Sequence, residues 1–237
     1  MHVGFAPTFM NTSGTMSDLD RFKHELALCD LAEPLGFDSI WQPEHHFSGY
    51  EMTPNVLQFL TYVAGRTKTV RLGSMVVVLP WHNPLRVVED VTLLDHYSGG
   101  RTILGIGRGL GAMEFGGFGI EMSDTRDLFV EKAETVVNAL KTGVIEYNGK
   151  HVKQLRRSIR PAPFKTFEGR GKAAGMRSRR NLQSSLRGNA SFNVLLDVRL
   201  IIARALLRSS KSAPRCSPEI RMCAHGIERR SHQSMRK

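Results

Sequence analysis

Two patterns of apolar and polar positions alternate along the first 160 residues. Short, nearly continuous apolar runs rich in β-branched residues are typical of strands that are covered on both faces. Segments in which apolar residues recur every three or four positions are typical of helices with one buried face. The apolar runs predict strands at His2–Thr8, Phe37–Gln42, Val70–Leu79 and Thr102–Ile106, and the helical spacing predicts helices at about 18–32, 55–65, 84–97 and 125–141.

Local signals set the ends of these elements. Ser17 is a predicted N-cap of the first helix, and Asn83 precedes Pro84 as the predicted N-cap of the third. Ser98-Gly99-Gly100 predicts a left-handed end to that third helix. Asn148-Gly149 lies between two short apolar segments and predicts a hairpin turn.

A strand and a helix follow each other four times, which predicts parallel strands joined by right-handed crossovers. The predicted fold class is therefore α/β. Four such units make the first half of an eight-stranded TIM-type (β/α)8 barrel, so we predict a partial barrel over residues 1–170.

The amino-acid composition changes after Arg170. Residues 171–237 contain 12 Arg and 10 Ser, one aromatic residue, Phe192, and no further strand–helix alternation. One amphipathic helix is predicted near residues 192–207. The rest has the composition of a segment that buries too little apolar surface to stay ordered. We therefore predict a second region, a poorly ordered basic tail at 171–237.

The net charge of +11 belongs to this tail. Residues 1–170 carry 18 Lys and Arg against 19 Asp and Glu, whereas residues 171–237 carry 15 against 3. The basic composition is therefore no reason to assign nucleic-acid binding to the first region. Binding of nucleic acid or an anionic membrane by the tail is an alternative that its arginines favour. Its single aromatic residue and the lack of a known binding module argue against nucleic acid.

Three cysteines, Cys29, Cys216 and Cys223, are an odd number without a CxxC motif. They support neither a disulfide framework nor a zinc ribbon. No run of about 18 apolar residues predicts a transmembrane helix, and the first residues lack the pattern of a signal peptide. A cytoplasmic location is the resulting expectation.

Three polar residues, Glu44, His45 and His46, directly follow the second predicted strand. Catalytic groups of α/β folds collect at the carboxyl ends of strands, whereas a solvated loop with two chance histidines is the alternative interpretation. An imidazole titrates near neutrality and can take up and return a proton. Because neighbouring side chains of an extended segment point in opposite directions, His46 is expected to pack away from His45. The same geometry argues against a paired-histidine metal site, and no metal is predicted.

Several motifs follow one another in a fixed order: Gly36–Trp41, Glu44–Phe47, Leu79–Pro80 with Pro84 and Arg86, Leu94–Arg101, Gly105–Gly109, Phe118–Gly119 and Arg126. In this order they resemble the N-terminal half of the bacterial luciferase-like, flavin-dependent monooxygenases. The resemblance implies an eight-stranded α/β barrel that binds reduced FMN and uses O2 as co-substrate to oxygenate a small organic substrate. It also implies a flavin reductase as the partner that supplies reduced FMN.

The resemblance assigns roles to single residues. His45 matches the family's catalytic histidine, and Arg108 and Arg126 match arginines that contact the FMN phosphate. A guanidinium fork suits a phosphate, and an ordinary solvated charge on a helix is the alternative for Arg126. Met75–Val76 matches the peptide bond beneath the isoalloxazine ring, with plain core strand as the alternative. The implied cofactor contacts are Glu44, Met75, Val76, Arg108, Leu110 and Arg126.

Trp81 and His82 either line the substrate mouth or cover a loop, and the sequence does not choose between these. The Gly105-x-Gly-x-Gly spacing is not that of a dinucleotide-binding fingerprint, so no Rossmann site is predicted.

The resemblance stops at Arg170, before the second half of the family's barrel. Four strands without the other four leave an unpaired edge and an open interior. We therefore expect weak FMN binding and impaired turnover, and the Arg/Ser-rich remainder suggests a frameshift product. The alternatives are a deazaflavin in place of FMN, and a non-catalytic half barrel that forms a homo-oligomer across its open face.

Overall fold

The computed structural model describes residues 2–164 and 193–195. Its strands are β1 Gly4–Phe5, β2 Ser39–Gln42, β3 Arg71–Ser74, β4 Val77–Val78, β5 Thr102–Ile103, β6 Gly105–Gly107, β7 Val144–Asn148, β8 Lys153–Ser158 and β9 Asn193–Leu195. Its helices are α1 Asp18–Asp30, α2 Val56–Arg66, α3 Pro84–Tyr97, α4 Ala112–Gly117 and α5 Thr125–Thr142.

Four parallel barrel strands, called staves below because two of them are split into two shorter strands, form the centre of the described region. β1, β2, β3 and β5 are neighbours in that order, with Ile40 paired to both Phe5 and Leu72. β4 and β6 form a second parallel pair, so β3 with β4 and β5 with β6 each make one interrupted stave. The first interruption is at Met75–Val76, whose peptide bond is cis. Together with the helices between the staves, this arrangement confirms the predicted partial barrel of α/β class.

The core lies between the staves and the helices that cover them. Ile40 and Leu72 on the staves are fully buried, as are Leu60 on α2 and Val91 on α3. α2 packs against α3, and α3 packs against α5. Each buried aliphatic side chain of this kind stabilises the fold by about 1.5–3 kcal/mol relative to an exposed one. The stripes of apolar residues that predicted the helices are the faces that build this core.

Helix ends follow the predicted signals. Ser17 Oγ accepts a hydrogen bond from the Asp20 N–H, and Asn83 Oδ1 accepts one from the Leu85 N–H. Gly99 ends α3 with a φ of 63°, which lies in the left-handed region that favours glycine. β7 and β8 pair antiparallel around the predicted hairpin turn. These four local predictions are confirmed.

Three details differ from the prediction. The strands are shorter than the apolar runs, because Met75–Val76 and Leu104 interrupt the ladders. No helix was predicted between the fourth strand and the fourth helix, and the structure has α4 there, anchored by the buried Phe115. Of the helix predicted near 192–207, residues 193–195 instead form β9, antiparallel to β6, because the edge of β6 offers unpaired N–H and C=O groups.

The other residues of that predicted helix, and the predicted tail as a whole apart from β9, lie outside the described residues. The division at Arg170 therefore stays a prediction. Within the described ranges no helix is both long enough and apolar enough to cross a membrane.

A dense network holds the amino ends of the staves. The Arg101 guanidinium donates five hydrogen bonds, to the carbonyl oxygens of Ala64, Thr67, Val70 and Ser98 and to the Thr67 hydroxyl. Glu33 accepts hydrogen bonds from the backbone N–H groups of residues 68–70. Burial alone would raise the pKa of Glu33, but these donors outweigh it and lower the pKa to about 2. The Arg101 and Glu33 side chains thus connect the ends of helices to the starts of strands through hydrogen bonds.

Candidate active site

A cleft of about 450 Å³ opens at the carboxyl ends of β2, β4 and β6. Six residues predicted for the site line it, namely Glu44, His45, Met75, Val76, Arg108 and Leu110. The rest of its lining is Pro43, Val78, Trp81, Gly109, Gly111 and Glu114. The geometry therefore brings together His45 from one stave and Arg108 from another.

His45 lies at the edge of this cleft. Its Nδ1 atom is 3.1 Å from Oε1 of Glu114, and its side chain keeps 37% of its surface exposed. The ring of Tyr50 packs edge-on against it at 5.1 Å. His45 is therefore fixed on one side and open on the other, as a residue that exchanges a proton with a ligand must be.

Glu44 is the centre of a buried cluster behind His45. Its Oε1 atom lies 3.1 Å from Nε2 of His46 and 2.5 Å from Nε2 of His82, and its Oε2 atom accepts the Val78 N–H at 2.8 Å. Burial alone would raise the pKa of Glu44, but the hydrogen bonds from His46, His82 and Val78 outweigh it and lower the pKa. The carboxylate thus joins the loop after β2 to the loop after β4.

The placement of Glu44 and His46 bears on two predictions. His46 packs away from His45 as predicted, with its ring edge-on to Trp81 and Phe118. The Glu44 carboxylate is bound by protein donors, so a direct contact between it and a cofactor stays a prediction. Within the described part of the chain, no group of three or more His, Cys, Asp or Glu side chains is arranged to hold a metal ion.

Trp81 forms one wall of the site, and further aromatic side chains pack against it or against one another beside it. Trp81 stacks on Phe118 at 5.3 Å and packs against Phe115, while Phe47 packs against Phe118 at 5.6 Å. A Cβ atom on Gly117 would lie 2.3 Å from the Phe47 ring, so the glycine is what allows this contact. Trp81 both lines the cleft and packs against the loops, which answers a question that the sequence left open.

Lys132 holds the turn that carries Trp81. Its ammonium group donates a hydrogen bond to the Pro80 carbonyl at 2.8 Å and so ties α5 to the turn at Leu79–Trp81. Burial lowers the pKa of Lys132 to about 8.

Arg108 follows β6 and enters the cleft beside Gly109. One of its terminal nitrogens donates to the Thr125 hydroxyl at 3.0 Å. Its other N–H groups have no partner among the residues that the structure describes. Gly109 has a φ of 78°, and a Cβ atom there would lie 2.7 Å from Val78. The segment therefore presents a guanidinium with free donors on a backbone that only glycine permits.

Arg126 is the one predicted site residue that does not line the cleft. It is exposed on the first turn of α5, next to Thr125, whose hydroxyl Arg108 contacts. A phosphate contact by Arg126 therefore stays a prediction.

The sequence revealed neither Glu114 nor the contact between His82 and Glu44. Glu114 lies 69 positions after His45, on α4, a helix that the sequence pattern did not predict. A short helix predicted to start after Gly111 would have placed Glu114 in its first turn. His82 and Glu44 were each singled out in the sequence, but their contact was not predicted.

A family model described as luciferase-like monooxygenase matches residues 1–168, which is most of the chain. The chain belongs to the luciferase-like monooxygenase family. The resemblance found in the sequence is thereby confirmed, and the four staves are the first half of the family's barrel.

One relative within the family is the alkanal monooxygenase alpha chain of Photorhabdus luminescens. It is 34% identical over 148 residues, which are 62% of this chain and 41% of the relative. Another alkanal monooxygenase alpha chain, from Aliivibrio fischeri, is 35% identical over 130 residues, or 55% of this chain and 37% of that one. The match thus spans less than half the length of these relatives.

Solved structures show the same fold. The monooxygenase RslO1 of Streptomyces bottropensis has a TM-score of 0.66 and 28% identity, over 70% of this chain and 50% of that one. The FMN complex of the oxygenating constituent of 3,6-diketocamphane monooxygenase from Pseudomonas putida has a TM-score of 0.59 and 22% identity, over 65% and 44%. An F420-dependent secondary alcohol dehydrogenase has a TM-score of 0.55 and 17% identity, over 68% and 49%. The last two show the fold alone.

Proposed function

We propose that the cleft binds reduced FMN and serves a monooxygenase reaction on a small organic substrate. The observation that carries the proposal is the convergence of His45 and Arg108 on one cleft. One of these residues suits proton exchange and the other suits a phosphate, and both kinds of group are what a flavin mononucleotide reaction requires.

The residues of the cleft fit FMN. The free N–H donors of Arg108 match a phosphate, and the glycines around it let the backbone approach closely. Met75, Val76 and Val78 offer an apolar surface to a flat ring system. A volume of about 450 Å³ lies within the usual range for cofactor and ligand sites.

When bound, reduced FMN supplies the electrons that activate O2. The chain's own contribution is to hold the phosphate through Arg108, to orient the ring on the surface at Met75–Val78 and to exchange a proton at the His45 imidazole. Trp81 covers one side of the cleft in which this exchange takes place.

The substrate class is chosen from the family. Because two relatives are named alkanal monooxygenases, we propose alkanals as the first substrates to test. The apolar lining of Val78, Trp81 and Leu110 favours a substrate with a hydrocarbon part. A reductase that supplies reduced FMN, and a cytoplasmic location in which it acts, belong to the same proposal.

A deazaflavin is the second candidate cofactor, because an F420-dependent enzyme shares this fold. Both cofactors carry a phosphate that Arg108 would meet, so this residue does not distinguish them. A parallel titration with both does.

The experiment is a fluorescence titration of the full chain with FMN and with a deazaflavin. Arg108→Ala should weaken FMN binding by about 10- to 100-fold, because a hydrogen bond to a charged group contributes about 1.5–3 kcal/mol. Arg156→Ala, an exposed arginine on β8, is the matched control and should leave the affinity unchanged.

Equal affinities of the parent chain and Arg108→Ala would contradict the proposed phosphate site. Tighter binding of the deazaflavin would favour the second candidate. Oxygen consumption that depends on an alkanal then measures turnover, for which the sequence predicts a rate well below that of a complete barrel.

A further inference from the structure

Glu114 stands out among the groups at the cleft because nothing in the sequence assigned it a role. It is buried on α4, four residues past Leu110, and its Oε1 atom accepts the backbone N–H of His46 at 2.9 Å. The same oxygen lies 3.1 Å from Nδ1 of His45. The Glu114 carboxylate, on the helix that follows the fourth stave, thus contacts the His46 backbone and the His45 side chain in the loop after the second stave.

The glycine at position 111 makes room for this carboxylate. A Cβ atom on Gly111 would lie 2.1 Å from Oε2 of Glu114. The N-cap of α4 therefore determines where the carboxylate sits, and any side chain there would displace it.

The direction of the contact to His45 follows from the chemistry of the two groups. A carboxylate accepts hydrogen bonds and has no proton to donate, so Nδ1 of His45 must be the donor. A neutral imidazole with its proton on Nδ1 has an unprotonated Nε2. Among residues 2–164 and 193–195, no group hydrogen-bonds to Nε2 of His45, and the ring borders the cleft.

The other two histidines near the cleft are used in the opposite way. His46 and His82 both direct Nε2 at the Glu44 carboxylate, so each carries a proton on Nε2 and is held there by a buried partner. Of these three rings, His45 is the one whose Nε2 is left for a ligand.

We infer that Glu114 is a positioning residue that holds the proton of His45 on Nδ1 and presents Nε2 to the cleft as the proton acceptor. The inference rests on the proposed function for its catalytic meaning, and on the geometry alone for the tautomer. Carboxylates that fix a histidine tautomer in this way are known to matter, because a ring with its proton on the wrong nitrogen cannot accept at the reacting atom.

The test reads the tautomer directly, by nitrogen NMR of the full chain labelled with ¹⁵N-histidine and without flavin. Loss of signals in His45→Gln assigns the ring. In the parent chain we expect the unprotonated nitrogen of His45 to be Nε2. Glu114→Leu removes the acceptor, so the proton should move to Nε2, the form that a free imidazole prefers. Glu114→Gln keeps an oxygen acceptor and should retain the parent tautomer.

A second variant covers the case in which Glu114→Leu does not fold. Gly111→Ala displaces the carboxylate without removing it, and its backbone φ of −72° suits alanine. It should shift the proton of His45 toward Nε2. Gly116→Ala, where an added Cβ meets nothing within 4 Å, is the matched control and should leave the spectrum unchanged.

Turnover should follow the tautomer. Glu114→Leu should lower alkanal-dependent oxygen consumption by about 100-fold, with FMN affinity within about threefold of the parent. A parent ring protonated on Nε2, or an unchanged tautomer in both Glu114→Leu and Gly111→Ala, would overturn the inference. Absence of FMN binding would instead overturn the proposed function, and the spectra would still decide the tautomer.

Discussion

Each end of the staves carries an arginine, and the two arginines differ in how many protein partners they have. At the amino ends, Arg101 uses all five of its donors on protein acceptors, and Glu33 takes up three consecutive backbone N–H groups. At the carboxyl ends, Arg108 donates one hydrogen bond to another described residue, to the Thr125 hydroxyl. Residue type alone therefore does not separate an arginine that holds the fold from the one that we propose to bind a phosphate; we expect the number of protein partners to separate them.

The difference agrees with the division of labour in barrels, where catalysis collects at the carboxyl ends of strands and the opposite face serves stability. A saturated guanidinium stabilises the fold because removing it would leave several carbonyl oxygens without donors. A guanidinium with a single protein hydrogen bond contributes less to the fold, and we propose that Arg108 uses its other donors on a phosphate. Substitutions at the two ends should therefore separate stability from binding and turnover.

The largest effect is expected for Arg101→Met. The substitution leaves five acceptors without their donor, and we expect the free energy of unfolding to fall by about 3 kcal/mol. Urea unfolding of the full chain measures this. Arg156→Met, which removes an exposed arginine paired with Glu146, should cost at most about 0.5 kcal/mol. Equal losses in the two variants would show that the number of partners is not decisive.

A smaller effect, of the opposite kind, is expected for His45→Gln. Alkanal-dependent oxygen consumption should fall by about 100-fold, equivalent to about 2.7 kcal/mol, while the free energy of unfolding changes by less than about 0.5 kcal/mol. His24→Gln, on the exposed part of α1, is the control and should change neither quantity. Turnover that survives in His45→Gln would remove this histidine from the reaction.

The smallest effect is expected for Glu33→Gln and depends on pH. The pKa of Glu33 is lowered to about 2 from an ordinary 4.5, so its contribution to stability is present above pH 4.5 and is lost as the pH falls through 2. Because the side chain is partly exposed, we expect the substitution to cost only about 1 kcal/mol at pH 7. Unfolding free energies measured between pH 7 and pH 2 should converge for the parent and the variant. Curves that stay parallel would contradict the role of Glu33.

Local rules accounted for the elements that repeat. Ser17, Asn83 and Gly99 end or begin helices as predicted, because capping depends on residues within one turn. The parallel order of the staves followed from strand–helix alternation, which leaves few topologies open. His45 and Arg108 could be named from their positions at strand ends and from the family resemblance.

The partners of the site could not be predicted in the same way. Glu114 is 69 residues from His45 and His82 is 38 from Glu44, so their contacts depend on how the staves are arranged in space. The interruption at Leu104 was also hidden, because a continuous apolar run looks the same whether or not the ladder shifts to the next pair of strands. Hydrophobic periodicity specifies which face is buried and leaves open which polar groups meet above it.

The antiparallel pairing of β9 with β6 has a consequence for any completed barrel. A closed ring of this kind needs each neighbour to run in the same direction with a constant stagger, and Asn193–Leu195 runs the other way beside Gly105–Gly107. An incoming strand at this edge would have to displace β9 before it could pair. Closure would therefore require strand exchange, in which the three residue pairs between β6 and β9 are broken as the new pairing forms.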